Sequence, residues 1–502
     1  MSKEARRGAI YNYLNLLLIA ATGIFLTPYM VRCMGASQYG LYALVGALIP
    51  YLSLLDLGMS KTITRYVAHY RTHNDEQSEA RFLTSTTIIY GFITIILLII
   101  GASIYHYSDN IWSHRFTPAE LADVKRMIPI IVMAHAIIIP GNGFTAICNG
   151  CGQFAFPRIV LPIKYVIRIV CIVSLLAVGY KALALIALEM VLNIAIVIAT
   201  YIYVRRHIGR KNLYAPQPLP LRPILQYSGW IALYATTCAL QWSAATIIAG
   251  THFDAATVGV VGIGIMIGTM YGYLAETINR MTLPRASRLM AGNANSSDIT
   301  ADMVLIGRLI AIPLIAILST FALFGNTFIQ LWAGEGYEQA YTIALVMMAS
   351  WTTQLSQEYG TSLLEAKGMV RTISVINFIC IFAGVIASYI AARHWGIVGM
   401  ICAIAGGTLV ATIANSLYYS RKLPLQLYCY YKQVYGKLIG VTTVCVTLCH
   451  IVQHYIIHTG SWIWLIGSGC AYIIMYSIAI YCCVLNKDER QVIKKYVRLG
   501  KG

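Results

Sequence analysis

Apolar runs of about 20 residues recur from one end of the chain to the other, separated by short polar stretches. A run of that length crosses the hydrocarbon core of a bilayer as a helix. Backbone groups in lipid must be satisfied internally, so spanning segments are helices or closed barrels. The short alternating strands of a barrel are absent. The pattern predicts fourteen helices, near 10–33, 38–60, 82–105, 127–149, 157–179, 182–204, 223–250, 255–279, 303–331, 340–365, 372–392, 397–420, 438–458 and 462–485. The first run is read as a helix rather than a cleaved leader: it is long, carries Asn12 and Asn15, and lacks a small-residue cleavage site before Pro28. The expected fold class is all-α, a polytopic membrane protein.

Composition agrees with this reading. Of 502 residues, 58% are hydrophobic and 11% charged, against roughly 25% charged in soluble domains. The net charge of +18 does not point to nucleic acid, because the cations sit in short loops and no basic domain exists to hold a duplex. Their distribution reports orientation instead. Of 37 Lys and Arg, 29 fall in one alternate set of loops and termini, 6 in the other, and Lys164 and Arg168 lie inside the fifth segment. The positive-inside rule places both termini in the cytoplasm. Trp112, Trp332, Trp395, Trp462 and Trp464 fall in or beside the opposite, outer loops.

A weak internal repeat divides the chain. Cys148-Asn-Gly-Cys-Gly152 closes the fourth segment and Leu364-Glu-Ala-Lys-Gly368 the tenth. Gly40 opens the second and Gly259 the eighth, at almost the same offset. This predicts two parallel six-helix lobes, 1–204 and 223–420, with a Pro-rich cytoplasmic linker at 205–222 and two extra helices and a tail at 421–502.

Ionisable groups within a bilayer cost several kcal/mol, so each calls for a reason. Lys164 and Arg168 stand four apart on one helix face. Two like charges on one stripe suit a wet cavity that binds an anion such as pyrophosphate, which Arg grips in a bidentate fork. The competing reading has Lys164 snorkelling to the surface and Arg168 paired with a buried carboxylate. Arg32, from the outer set, completes the cationic candidates. Polar or coupling candidates are Asp56, Gln241, Glu276, Gln354 and Glu358. Gln354, Glu358, Thr361 and Glu365 form one stripe on the tenth segment, with Glu365 read as interfacial. Glu276 and Arg280 are spaced to pair. Glu189, alone in the sixth segment, reads as structural. Polar stripes on segments 1, 2, 7 and 8 imply a central cavity between the lobes.

Other patterns carry less. Thirteen cysteines lie mostly in apolar runs, and the Cys148/Cys151 pair has no second pair at zinc spacing. His450, His454 and His458 share a face without an acidic or Cys partner and read as interfacial. His135 reads as packed. The phosphate-binding pattern GxxxxGK[ST] is absent, and Gly262, Gly264 and Gly268 suit close helix packing. No metal or resident cofactor is expected.

Four segments, MGASQYGLYA (Met34–Ala43), DLGMSKTITR (Asp56–Arg65), NGCGQF (Asn149–Phe154) and AKGMVR (Ala366–Arg371), resemble bacterial polysaccharide-export flippases of the Wzx type, within the multidrug/oligosaccharidyl-lipid/polysaccharide exporter superfamily. The resemblance covers the first twelve helices. It implies two six-helix lobes around a cavity open alternately to each side of the bacterial inner membrane. It also implies a polyprenyl-pyrophosphate-linked oligosaccharide as cargo, coupling to a Na+ or H+ gradient, and cationic cavity residues, a role that suits Lys164 and Arg168. Membrane lipids and glycan polymerase machinery are the further partners expected. A multidrug-type cation antiporter is the alternative within transport, and predicts an acidic, aromatic cavity. A membrane glycan polymerase or acyltransferase is the alternative enzyme. The longest outer loop, 106–126, holds Asp109, His114, Glu120 and Asp123 without catalytic spacing, which favours a transporter.

Overall fold

A computed structural model describes residues 21–208, 215–216, 221–279, 282–292, 295–455, 461–486 and 489–490. Asn12, Asn15, Arg280, His458 and most of the 205–222 linker lie outside them. Helix is the regular structure throughout the described residues. In order these are α1 (Thr27–Met34), α2 (Ala36–Ser53), α3 (Met59–Thr72), α4 (Glu76–Trp112), α5 (Pro118–Gly150), α6 (Ala155–Ala177), α7 (Ala182–Tyr203), α8 (Leu221–His252), α9 (Ala255–Asn279), α10 (Leu283–Ala291), α11 (Ser296–Ala333), α12 (Glu338–Ala366), α13 (Val370–Lys422), α14 (Leu427–Tyr431), α15 (Lys437–Tyr455) and α16 (Trp462–Ala479). Ten helical stretches among the described residues are long and apolar enough to cross a membrane. The protein is an all-α polytopic membrane protein.

Several helices outrun their apolar segments. Stretches expected as loops, 61–81, 106–126 and 280–302, are largely helical. Hydropathy marks only the part of a helix that lies in hydrocarbon, whereas i→i−4 bonding continues until a cap ends it. Asp75 caps α4 by accepting from Ser78 N at 3.0 Å. Thr117 and Glu120 form a reciprocal capping box at the start of α5. Pro28 has no N–H to donate back one turn, and the chain before it widens into a π-turn, Thr22–Leu26. The eleventh and twelfth segments run on as α13, broken at Gly396, where φ is 62°.

The repeated glycine motifs share one conformation. At the end of α5, Gly152 has φ 74° and Gln153 N donates to Cys148 O at 2.9 Å. At the end of α12, Gly368 has φ 73° and Met369 N donates to Leu364 O at 2.9 Å. Both are left-handed caps that a residue with Cβ adopts only at a cost.

The chain forms two compact units, 1–263 with 388–397, and 264–387 with 398–502. In the first, α5 packs on α2, α3, α4 and α7, α6 packs on α7, and α2 packs on α8. Backbones come closest where α2 meets the start of α9: a Cβ on Gly40 would stand 1.7 Å from Ala255 O, and one on Gly259 3.0 Å from Ala36 O. These are the glycines that open the second and eighth segments. Phe92, Ile95, Ile96 and Ile99 of α4 are exposed, as an apolar surface facing acyl chains requires.

In the second unit, α12 packs on α10 and α11, and α15 and α16 pack on α11. Met303, Ile310, Tyr359, Leu363 and Tyr430 belong to its core. Arg308, which the sequence counts among loop cations, is 4% exposed on α11. It donates to both carboxylate oxygens of Glu489 at 2.8 Å and to Gln433 O and Val484 O at 2.9 Å. One guanidinium therefore ties α11 to the chain at both ends of the α15–α16 hairpin.

Candidate functional site

Three of the charges within apolar segments, Lys164, Arg168 and Glu189, meet between α6 and α7. Ile163, Val166, Ile167 and Val170 of α6 are exposed and share one face at helical spacing. Lys164 and Arg168 occupy the other flank, which packs on α7. Lys164 Nζ lies 3.2 Å from Glu189 Oε2, and Arg168 Nε contacts Glu189 Oε1. Lys164 also donates to Asn193 Oδ1 at 2.9 Å, and Asn193 Nδ2 donates to the Glu189 carbonyl one turn earlier at 2.8 Å. Arg168 Nη2 donates to Tyr42 OH of α2 at 3.2 Å. Two cations, one carboxylate and two neutral polar groups thus join three helices.

All three charged side chains are partly buried, at 15–20% exposure. At an effective dielectric of about 20, one pair at 3.2 Å gains about 5 kcal/mol of Coulomb energy, much of it offset by desolvation. The formal sum is +1. A single carboxylate thus serves two cations.

Glu189 is therefore not alone, as the sequence reading had it: it is the carboxylate partner that the competing reading assigned to Arg168, and it engages Lys164 as well. A usable signal was present: segments joined by a short turn lie side by side, and Arg168 stands 11 residues before Gly179 while Glu189 stands 10 after it. Equal depth in a hairpin predicts contact.

The remaining candidates lie elsewhere. Arg32 is exposed on the last turn of α1. Tyr29, three residues earlier on α1, donates to Val173 O of α6 at 3.5 Å. Asp56 accepts from Ser60 N and Ser60 Oγ at 3.3 Å and from Tyr90 OH at 3.1 Å. It anchors the restart of the chain as α3, past left-handed Leu57 and Gly58. Gln241 is buried in α8. Gln354 and Glu358 are half-buried, Glu276 and Glu365 are exposed, and Glu358 lies within electrostatic reach of both of those carboxylates. Among the described residues no His, Cys, Asp and Glu group has metal-site geometry.

Two features escaped the sequence reading. Gln357, beside the stripe singled out on α12, donates to Tyr431 OH at 2.6 Å and accepts from Ser416 Oγ at 2.5 Å. That makes it the centre of a buried network. A cavity of about 360 Å³ in the first unit is lined by Ile63, Thr86, Thr87, Tyr90, Thr94 and Phe144 among others. Both arise where helix faces meet, which periodicity along one helix does not specify.

Comparison with known proteins places this geometry in context. Residues 5–290 match the family described as "Polysaccharide biosynthesis protein". The uncharacterized membrane protein EpsK of Bacillus subtilis (strain 168) is 20% identical over 496 residues, 97% of this chain and 96% of its own. A Shigella flexneri protein, provisionally named O-antigen transporter, is 20% identical over 401 residues, 78% of this chain and 92% of its own. Among solved structures, the inward closed conformation of the lipid II flippase MurJ superposes with a TM-score of 0.73 at 11% identity, covering 94% of this chain and 98% of that one. At that identity the likeness is one of fold.

Proposed function

The chain belongs to the polysaccharide biosynthesis protein family, and from that premise we propose that it is a transporter, not an enzyme, which flips a polyprenyl-pyrophosphate-linked oligosaccharide from the cytoplasmic to the periplasmic leaflet of the bacterial inner membrane. The single observation that carries this reading is the cation pair Lys164 and Arg168, held at the flank of α6 away from its apolar exposed face. A pyrophosphate diester carries about two negative charges, and a Lys–Arg pair matches them with donors suited to phosphate oxygens. The lipid tail stays in hydrocarbon while the head is sheltered there. The O-antigen transporter among the relatives and the fold shared with a lipid II flippase support an amphiphilic glycan as cargo.

The lobes 1–204 and 223–420 alternate access to the head-group site, both termini are cytoplasmic, and a Na+ or H+ gradient drives release. Arg32 gives the head group a cationic contact near the outer side, and Asp56, Gln241, Glu276, Gln354 and Glu358 supply the polar and coupling positions. Glycan polymerase machinery consumes the product.

The test is loss of the gene compared with Lys164→Gln combined with Arg168→Gln. Both should trap undecorated glycan-lipid on the cytoplasmic leaflet and abolish surface glycan. In proteoliposomes the wild-type protein should move the lipid without altering it chemically. Normal surface glycan in the double variant removes the cation pair from the site. Export of organic cations without lipid movement would favour a multidrug antiporter.

A further inference from the structure

The carboxylate of Glu189 already occupies the position that an anionic cargo would take. One of its oxygens faces Lys164 and the other faces Arg168, so both cations are engaged by a single acceptor group. We propose that Glu189 is a built-in competitor for the cargo's phosphate, which sets how tightly the cation pair holds its load and helps to expel it. The inference rests on the anion-site reading above and assigns a role within it.

Charge and geometry carry the argument. With Glu189 in place the cluster sums to +1, and a head group of two negative charges added to it would leave −1. If Glu189 swings out, the two cations and the two phosphate charges cancel. Cargo with a doubly charged head therefore gains most by displacing the carboxylate, whereas a singly charged anion gains little over Glu189 itself. The cost of that displacement is a specificity filter for diphosphate over monoanionic lipids. It is also a reason the load leaves, because Glu189 can refill the clamp as the head group departs. A site that is free for only a fraction of the time binds with an affinity reduced by that fraction.

Two bonds between the helices do not use the Glu189 carboxylate. Lys164 donates to Asn193 Oδ1 at 2.9 Å, which ties α6 to α7, and Arg168 donates to Tyr42 OH at 3.2 Å, which ties α6 to α2. Glu189→Gln therefore removes the charge while leaving these supports. Asn193→Asp does the opposite, placing a second carboxylate where Lys164 Nζ now meets an amide oxygen at 2.9 Å.

The experiment measures binding of two farnesyl diesters, P1-farnesyl P2-methyl pyrophosphate with two negative charges and farnesyl methyl monophosphate with one, to the full chain in detergent by titration calorimetry. Glu189→Gln should bind the pyrophosphate about tenfold more tightly and discriminate less against the monophosphate. In proteoliposomes its KM and kcat should both fall. Asn193→Asp should bind the pyrophosphate more weakly than wild type. Unchanged or weaker binding in Glu189→Gln, or unchanged or tighter binding in Asn193→Asp, overturns the competitor role; the second variant decides the matter if the first does not fold. Loss of binding in Lys164→Gln/Arg168→Gln beside unaltered Glu189→Gln sinks this inference alone. Unaltered binding in the double variant sinks the anion site beneath it.

Discussion

Replacing Gly40 by alanine puts a methyl group where the carbonyl oxygen of Ala255 already stands. The new Cβ would lie 1.7 Å from that oxygen, 2.8 Å from its carbon and 2.9 Å from Gly259 N. Ordinary contact begins at 3.4 Å, leaving a shortfall of 1.7 Å. The obstacle is backbone, so no side-chain rotation relieves it and α2 must move away from α9 by more than an ångström. Overpacking of this kind costs about 1–3 kcal/mol, against a helix-propensity gain of roughly 0.5–1 kcal/mol for Gly to Ala. With both figures at mid-range, the net expectation is a loss of about 1 kcal/mol. Gly46, on the same helix, has nothing within 4 Å of an added Cβ, so Gly46→Ala should be neutral or stabilise by the propensity term alone. The assay is thermal unfolding of the detergent-solubilised protein, followed by a thiol-reactive fluorogenic dye that reports exposure of the buried Cys148 and Cys445. Gly40→Ala should melt below wild type and Gly46→Ala at or above it. A Gly40→Ala protein as stable as wild type, or equal damage from both substitutions, would refute the close crossing of α2 and α9.

Arg308→Met should destabilise the protein by about 3–5 kcal/mol, because it strands the Glu489 carboxylate and the carbonyls of Gln433 and Val484. Arg308→Lys should not restore stability, since one ammonium cannot reproduce the planar fork. Wild-type melting and wild-type resistance of the C-terminal tail to protease in Arg308→Met would contradict this. At the start of α4, the Ser78 N–H holds the Asp75 carboxyl below the usual carboxylate range. A depressed folded-state pKa contributes stability above the unfolded value of about 3.9 and loses it as pH falls through the folded one. The Ser78 amide should therefore lose hydrogen-exchange protection on acidification below about pH 4. Asp75→Asn, whose amide oxygen is a neutral cap, should flatten that pH dependence; the same loss in both proteins would disprove the assignment.

The helical segments were readable from hydropathy because a helix closes its own hydrogen bonds within four residues, and lipid tolerates little else. Lys164 and Arg168 were readable as a site because unexplained charge in an apolar run is rare. Gly152 and Gly368 were visible as the ends of two apolar segments, and both adopt a left-handed cap. The ends of α4, α5 and α11 were missed because hydropathy falls away before hydrogen bonding does.

Sequence alone determined that this chain threads a membrane as helices, and which buried charges stood in need of a counterpart. Only the tertiary structure decided that Glu189 is the counterpart, that Asp56 anchors a turn, that Arg32 is exposed at the end of α1, and that Gly40 meets the backbone of Ala255. The physical reason is range. Helix formation is local, so composition and spacing suffice to foresee it. Which face of one helix meets which face of another depends on the joint packing of many segments, and that is not written in any one of them.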